Sequence, residues 1–180
     1  MGKPAPYVSP DEEISTHAAH SRPGRVLTAE CEAFCTGGRS VIFALIAPDR
    51  RPVAGVARGA VFEASGRMRV ILSRRQNPDL HLAITQDSRI AVTFTYPTTH
   101  RSIQVKGSDA TLGKPTADDI RAAVRQTRLF RDELIDLGYS DGFASAWTAT
   151  DPADLVAVFV TPETVFVQTP GAGAGARLGQ

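Results

Sequence analysis

The sequence predicts a mainly β, antiparallel domain, a small barrel of about seven strands with helices outside it. Three observations carry this. Runs of β-branched and aromatic residues follow one another through tight turns, as in Arg89–Tyr96, Pro97-Thr98-Thr99 and Ser102–Thr111. Only one helical pattern is long, Ala117 to about Leu137. Helices do not alternate with strands, so a parallel doubly wound sheet is disfavoured and a small barrel fits.

Residues 1–25 are rich in Pro, Ser, His and charge and carry little periodicity, so they read as an N-terminal arm with one helical turn near Asp11–Ala19. Thr28 is placed to cap a helix whose first turn holds Glu30 and Glu32 and which stops at Gly37-Gly38. Ser40–Ala47 is a continuous apolar run, expected as a strand buried on both faces, and Pro48-Asp49-Arg50-Arg51-Pro52 turns after it. Val53–Ala64 is a second strand, bulged near Gly55 or Gly59, and Ser65-Gly66 a tight hairpin turn. Met68–Ser73 is the third strand. Asn77 as cap and Pro78 as first residue open a short helix to about Thr85. Strands four and five, Arg89–Tyr96 and Ser102–Thr111, follow. Thr116 then caps the long helix, with Ile120, Val124, Thr127, Phe130, Leu134 and Leu137 near helical spacing and Gly138 ending it. Residues 139–154 read as irregular, Leu155–Val160 and Thr164–Gln168 as a closing pair of strands. Thus 26–169 form the domain, and the Gly/Ala-rich segment 170–180 reads as a flexible tail.

A chain of 180 residues suits one domain with a full core. A formal net charge of +1 gives no electrostatic case for nucleic acid or an anionic membrane surface. No apolar run reaches the ~18 residues of a membrane span, and the first residues lack an apolar signal region, so a cytoplasmic protein is expected. Cys31 and Cys35 lack the Cys-x-x-Cys spacing of redox or zinc sites and read as small buried side chains. His17, His20, His81 and His100 show no metal spacing. The carboxylates of the long helix read as a solvated face, and no nucleophile–base pair is legible, so no catalytic residue is assigned.

The informative stretch is Arg67 to Leu112. Its strand ends in a polar, cationic cluster, Ser73-Arg74-Arg75-Gln76-Asn77, and its later strand, Arg101-Ser102-Ile103-Gln104-Val105-Lys106-Gly107, is studded with polar groups. Arginine binds phosphate through paired donors and a serine hydroxyl adds a short hydrogen bond, so this strand end suits a phosphorylated ligand. Arg58, within small apolar residues, should face a ligand, a partner subunit or solvent. Trp147 reads as core or interface packing, or as a cover over a pocket.

The order of elements, with Ser73-Arg74-Arg75 at one strand end and Arg101 to Gly107 on a later strand, resembles the pyridoxamine 5′-phosphate oxidase-like FMN-binding split-barrel family over roughly residues 26–168. The resemblance implies a split β-barrel and a homodimer with FMN at the subunit interface. It implies that Ser73, Arg74 and Arg75 hold the phosphate with Gln76 and Asn77 assisting, and that Arg58, beside Val56 and Ala57, lies along the ring or ribityl chain. Arg101, Ser102 and Gln104 would reach the flavin from the later strand. The implied activity is that of an FMN-dependent oxidoreductase with unknown substrate and electron donor. The alternative is a non-catalytic flavin, haem or deazaflavin binder or sensor. Ser102 stands where the oxidase has Gln, and the Arg177-Leu178-Gly179-Gln180 end lacks the oxidase's substrate-binding ending, so pyridoxamine phosphate is not the expected substrate.

Overall fold

The computed structural model describes residues 6–47 and 49–179; the expected arm's first five residues, Pro48 of the first turn and the last residue of the tail lie outside them. Nine strands form one antiparallel sheet: β1 (Ser40–Ile46), β2 (Pro52–Phe62), β3 (Met68–Ser73), β4 (Ile90–Thr95), β5 (Ser102–Gly107), β6 (Thr111–Gly113), β7 (Leu155–Val160), β8 (Thr164–Val167) and β9 (Arg177–Leu178). Their order across the sheet is β6-β7-β3-β2-β1-β4-β5-β8-β9. The short outer strands β6 and β9 are not paired with each other, so the curled sheet stays open as a split β-barrel. Two short edge strands explain why the sheet has nine strands where the sequence suggests about seven: neither is long enough to show alternation.

Among the described residues five α-helices flank the sheet: α1 (Pro10–His20), α2 (Ala29–Cys35), α3 (Leu80–Gln86), α4 (Ala117–Asp136) and α5 (Asp141–Thr148). Caps fix their starts. Ser9 accepts from Glu12 N–H and Thr28 from Cys31 N–H, each at 3.2 Å. Thr116 and Asp119 cap one another's backbone reciprocally. Asn77 does not cap α3; Asp79 occupies that position, and the Asn77 side chain donates to the Ser73 carbonyl at 2.7 Å.

Val41, Phe43 and Leu45 of β1 join Val70, Leu72, Val92, Phe94, Ile103, Val105, Val158, Val160, Val165 and Val167 in the barrel core. Each such side chain contributes about 1.5–3 kcal/mol on burial. β1 is buried on one face only: Ile42 on the other face is 48% exposed. Helix α4 covers the outside of β2 and β3, where Ala123 packs on Ile71, Leu155 and Ala157. Phe130, Leu134 and Ala144 join α4 to α5.

Three segments depart from the sequence reading. Residues 10–20 form an 11-residue helix of about three turns, held to the barrel by Glu13 and His17, both buried. Residues 141–148 form α5, capped by Ser140. The Gly/Ala segment folds through turns at Gly171, Gly173 and Gly175, and Leu178 of β9 is buried against β8. Gly175 N–H donates to the Val167 carbonyl at 2.7 Å, and Tyr7 Oη to the Pro170 carbonyl at 2.9 Å.

Candidate functional site

A bulge in β2 creates the site's first feature. Pairing with β3 runs Ala57–Leu72 and then Gly59–Ile71, so Arg58 is the extra residue. The bulge re-aims its side chain toward α5 and the end of β3. There Arg58 is 6% exposed, and its Nη atoms donate to Gln76 Oε1 at 2.7 Å and to the Trp147 carbonyl at 2.9 Å. Its Nε is buried with no acceptor. Burial pushes the Arg58 pKa down, and the nearby Asp154 charge partly opposes that.

The β3–α3 connection supplies the second feature. Antiparallel pairing sets Ser73 opposite Leu155 of β7, which brings the residue just before Leu155, Asp154, to the strand end. The Ser73 hydroxyl donates to Asp154 Oδ2. The backbone N–H and Nε of Arg75 donate to Asp154 Oδ1 at 3.1 and 3.2 Å. An Nη of Arg75 reaches Asp151 Oδ2 at 2.5 Å. Gln76 N–H donates to Ser73 Oγ at 3.3 Å, and Arg74 N–H to the Asp154 carbonyl at 2.9 Å. The Ser73 hydrogen bond, ahead of the opposing effect of burial and the help of Arg75, holds the Asp154 carboxyl below the ordinary carboxylate range. A hydroxyl, a backbone N–H and a guanidinium converging on one carboxylate form an anion-binding donor set.

Arg58, Ser73, Arg75, Gln76 and Asn77 therefore share one hydrogen-bonded region with Trp147 and Asp154. Arg74 leaves it. The Arg74 side chain is exposed and lines a separate cavity. Arg101, Ser102 and Gln104 lie on or just before β5, separated from β2 in the sheet by β4 and β1. Arg101 is clamped to Glu13 of α1 through Nε at 2.6 Å and Nη2 at 2.7 Å and lies 4.3 Å over the Phe34 ring centre. Ser102 Oγ is 2.9 Å from Thr95 Oγ1, and Gln104 Nε2 donates to Thr93 Oγ1 at 3.0 Å. Within one chain these three are not brought to Ser73. His100 sits exposed in its turn with φ 58°.

Trp147 is exposed at the end of an aromatic ladder that starts at Tyr139, just before α5, and runs along the helix, with Tyr139, Phe143 and Trp147 stacked at centroid distances of 5.0 and 5.9 Å. Among the described residues no group of three or more metal-ligating side chains occurs, and no helix is long and apolar enough to cross a membrane.

Asp151 and Asp154 were not legible as site residues. The Asp-Pro-x-Asp run before an apolar strand signals only a turn, and their role depends on β7 pairing with β3 across some eighty residues.

The open nine-stranded sheet, its flanking helices and the bulged second strand define the class: this is a split β-barrel, the fold that the resemblance implies. HupZ of Group A Streptococcus is similar in structure at 15% identity, covering 83% of this chain and 99% of that one with a TM-score of 0.51. A pyridoxamine 5′-phosphate oxidase-related, FMN-binding protein from Nostoc punctiforme aligns at 16% identity over 80% of this chain and 83% of its own, with a TM-score of 0.44. An F420 reductase aligns at 15% identity over 74% and 94%, with a TM-score of 0.47. No family model matches the chain, and no curated protein matches it.

Proposed function

We propose that this protein binds a flavin, FMN, in a homodimer and acts as an FMN-dependent oxidoreductase. The observation that carries the reading is Arg58. A buried guanidinium with no carboxylate partner among the described residues, and with an orphaned Nε–H, calls for an acceptor from outside the chain. A buried donor left unpaired costs about 1–3 kcal/mol. A flavin offers acceptors along its N1/O2 edge, where a cation stabilises the reduced ring.

The donor set fits such a ligand at two points and meets a rival at a third. Arg58 and the exposed face of Trp147 suit the ring, and the amide of Gln76 holds the guanidinium in place. Ser73 and Arg75 are the donors a phosphate requires, with Asn77 bracing the loop through the Ser73 carbonyl. Asp154 now fills those donors, so the phosphate would replace its carboxylate. Bound FMN would supply hydride transfer at N5. The chain's own part is to hold the ring and phosphate, place a cation at the ring edge and exclude water beneath α5. Arg101, Ser102 and Gln104 would act on the flavin of the partner subunit.

The absorbance of the purified protein tests this directly. A yellow protein with a flavin spectrum, reduced by NADH or NADPH, is expected. Retained flavin without reduction by either donor would favour the binder or sensor, and a protein that fails to take up added FMN would sink the flavin reading. Arg58→Ala should weaken FMN and riboflavin alike, by about tenfold or more, since a charge-assisted hydrogen bond contributes about 1.5–3 kcal/mol.

A further inference from the structure

The β3–α3 connection sends two adjacent arginines to different surroundings. Arg75 is neutralised: Asp154 and Asp151 accept from its Nε and Nη. Arg74 has no carboxylate partner among the described residues, and its side chain lines a cavity of about 360 Å³. Lys114 and His81 share that lining, and they too lack an ion-pair partner there. Leu80, Leu112 and Val156 supply apolar walls, and no carboxylate lines the space. Eight other arginines of the described chain, Arg25, Arg51, Arg69, Arg75, Arg89, Arg101, Arg121 and Arg131, pair with carboxylates. Other arginines, Arg39, Arg58, Arg125 and Arg128 among them, also lack a carboxylate among the described residues; what sets Arg74 and Lys114 apart is that both line one apolar cavity without a carboxylate in its lining.

We infer that this cavity is a second binding site, for a small organic anion with an apolar body. A carboxylate or phosphate head would take the paired donors of Arg74 and the point charge of Lys114, with the His81 imidazole as a further polar contact. The body would lie against Leu80, Leu112 and Val156. The volume is near the lower end of small-molecule sites, about 300–1,000 Å³, and suits one ring rather than a whole flavin nucleotide. An anion at the neighbouring Ser73–Arg75 donors would first have to displace Asp154, whereas Arg74 and Lys114 present no such internal rival. The inference does not rest on flavin binding, and its readout does not use flavin.

Phenyl phosphate, benzoate and inorganic phosphate serve as probes, with binding followed calorimetrically on the full chain. Wild type should bind phenyl phosphate or benzoate more tightly than inorganic phosphate. Arg74→Ala and Lys114→Ala should each weaken the aromatic anion about tenfold or more, and Arg75→Ala should leave it within about twofold. Leu112→Ala should narrow the preference for the aromatic probes. Equal loss in Arg75→Ala and Arg74→Ala would return the anion to the Asp154 donor set and overturn the inference. So would no binding to wild type, or equal binding of aromatic and inorganic anions. Arg74 and Lys114 are exposed and make no side-chain hydrogen bond or ion pair among the described residues, so their variants remain interpretable; should Arg75→Ala unfold, Asp151→Asn, which loosens the same arginine, takes its place as the control.

Discussion

Asp154 holds a single carboxylate against the Ser73 hydroxyl and two N–H groups of Arg75, and it is 5% exposed. Its carboxyl is held below the ordinary value of 3.8, first by the Ser73 hydrogen bond. A carboxyl depressed on folding adds stability that is fully present above the unfolded pKa and lost as pH falls through the folded one. Asp154→Asn should therefore cost about 1–3 kcal/mol near neutral pH and progressively less below pH of about 4, as read by denaturant unfolding at both pH values. A cost that stays constant with pH would show that the charge is not what the site uses. The same substitution removes the rival of a phosphate. It should raise the affinity for FMN relative to riboflavin by about tenfold, measured by fluorescence quenching, because one repulsive charge at hydrogen-bond range is relieved. An unchanged ratio would place the flavin phosphate elsewhere.

Helix α1 shows what an element needs in order to be read from sequence. Its buried positions are Pro10, Glu13 and His17, so no apolar stripe marks it, although Ser9, Pro10 and the acidic first turn give an N-terminal signal. It docks by charge: Glu13, 3% exposed, grips Arg101 in paired fashion. Helix α5 is short, and its aromatics Phe143 and Trp147, with Tyr139 just before its cap, face solvent, so their four-residue spacing marks a ladder rather than a core. Long elements with conventional signals were legible: α4 by its Thr116 cap and apolar stripe, although Val124 and Leu137 of that stripe are exposed, and the β4–β5 hairpin by its β-branched runs on either side of Pro97-Thr98-Thr99. The Arg58 bulge was legible in outline from Gly59, whereas the Asp154 contact needed the β3–β7 pairing. Glu13→Ala tests the docking of α1. It leaves Arg101 with only Glu30 at 4.0 Å, and breaking a buried pair costs about 3–5 kcal/mol. Because that residual partner and the Phe34 ring remain, a loss of about 2–3 kcal/mol is expected. Hydrogen exchange should then show α1 opening well before the sheet. A uniform change across both would mean that the helix is part of the global folding unit.

The whole molecule presents one broad face that its own helices do not cover. Across the sheet, register aligns Val56, Ile42, Thr93, Gln104 and Phe166 in one row and Ala54, Ala44, Ala91, Lys106 and Thr164 in the next. All are exposed or half-buried, small, apolar or hydroxylated for the most part, and Lys106 folds its ammonium over the Phe166 ring. An antiparallel sheet normally shows polar residues on a solvated face. This face is too apolar for that role and smooth enough for a second sheet, and Gln104, expected to reach a flavin in the partner subunit, stands within it. A homodimer built here would need about 800 Å² from each subunit. Ile42→Asp places a charge within the first row without touching the barrel core. Light scattering should then report a dimer for wild type and a monomer for the variant, with the circular dichroism of the sheet unchanged. If the flavin lies between subunits, the monomeric variant should also lose FMN; a monomer that keeps its flavin would put the whole site within one chain. A wild-type protein that is monomeric at every concentration would leave Ile42 as an exposed residue and remove the homodimer.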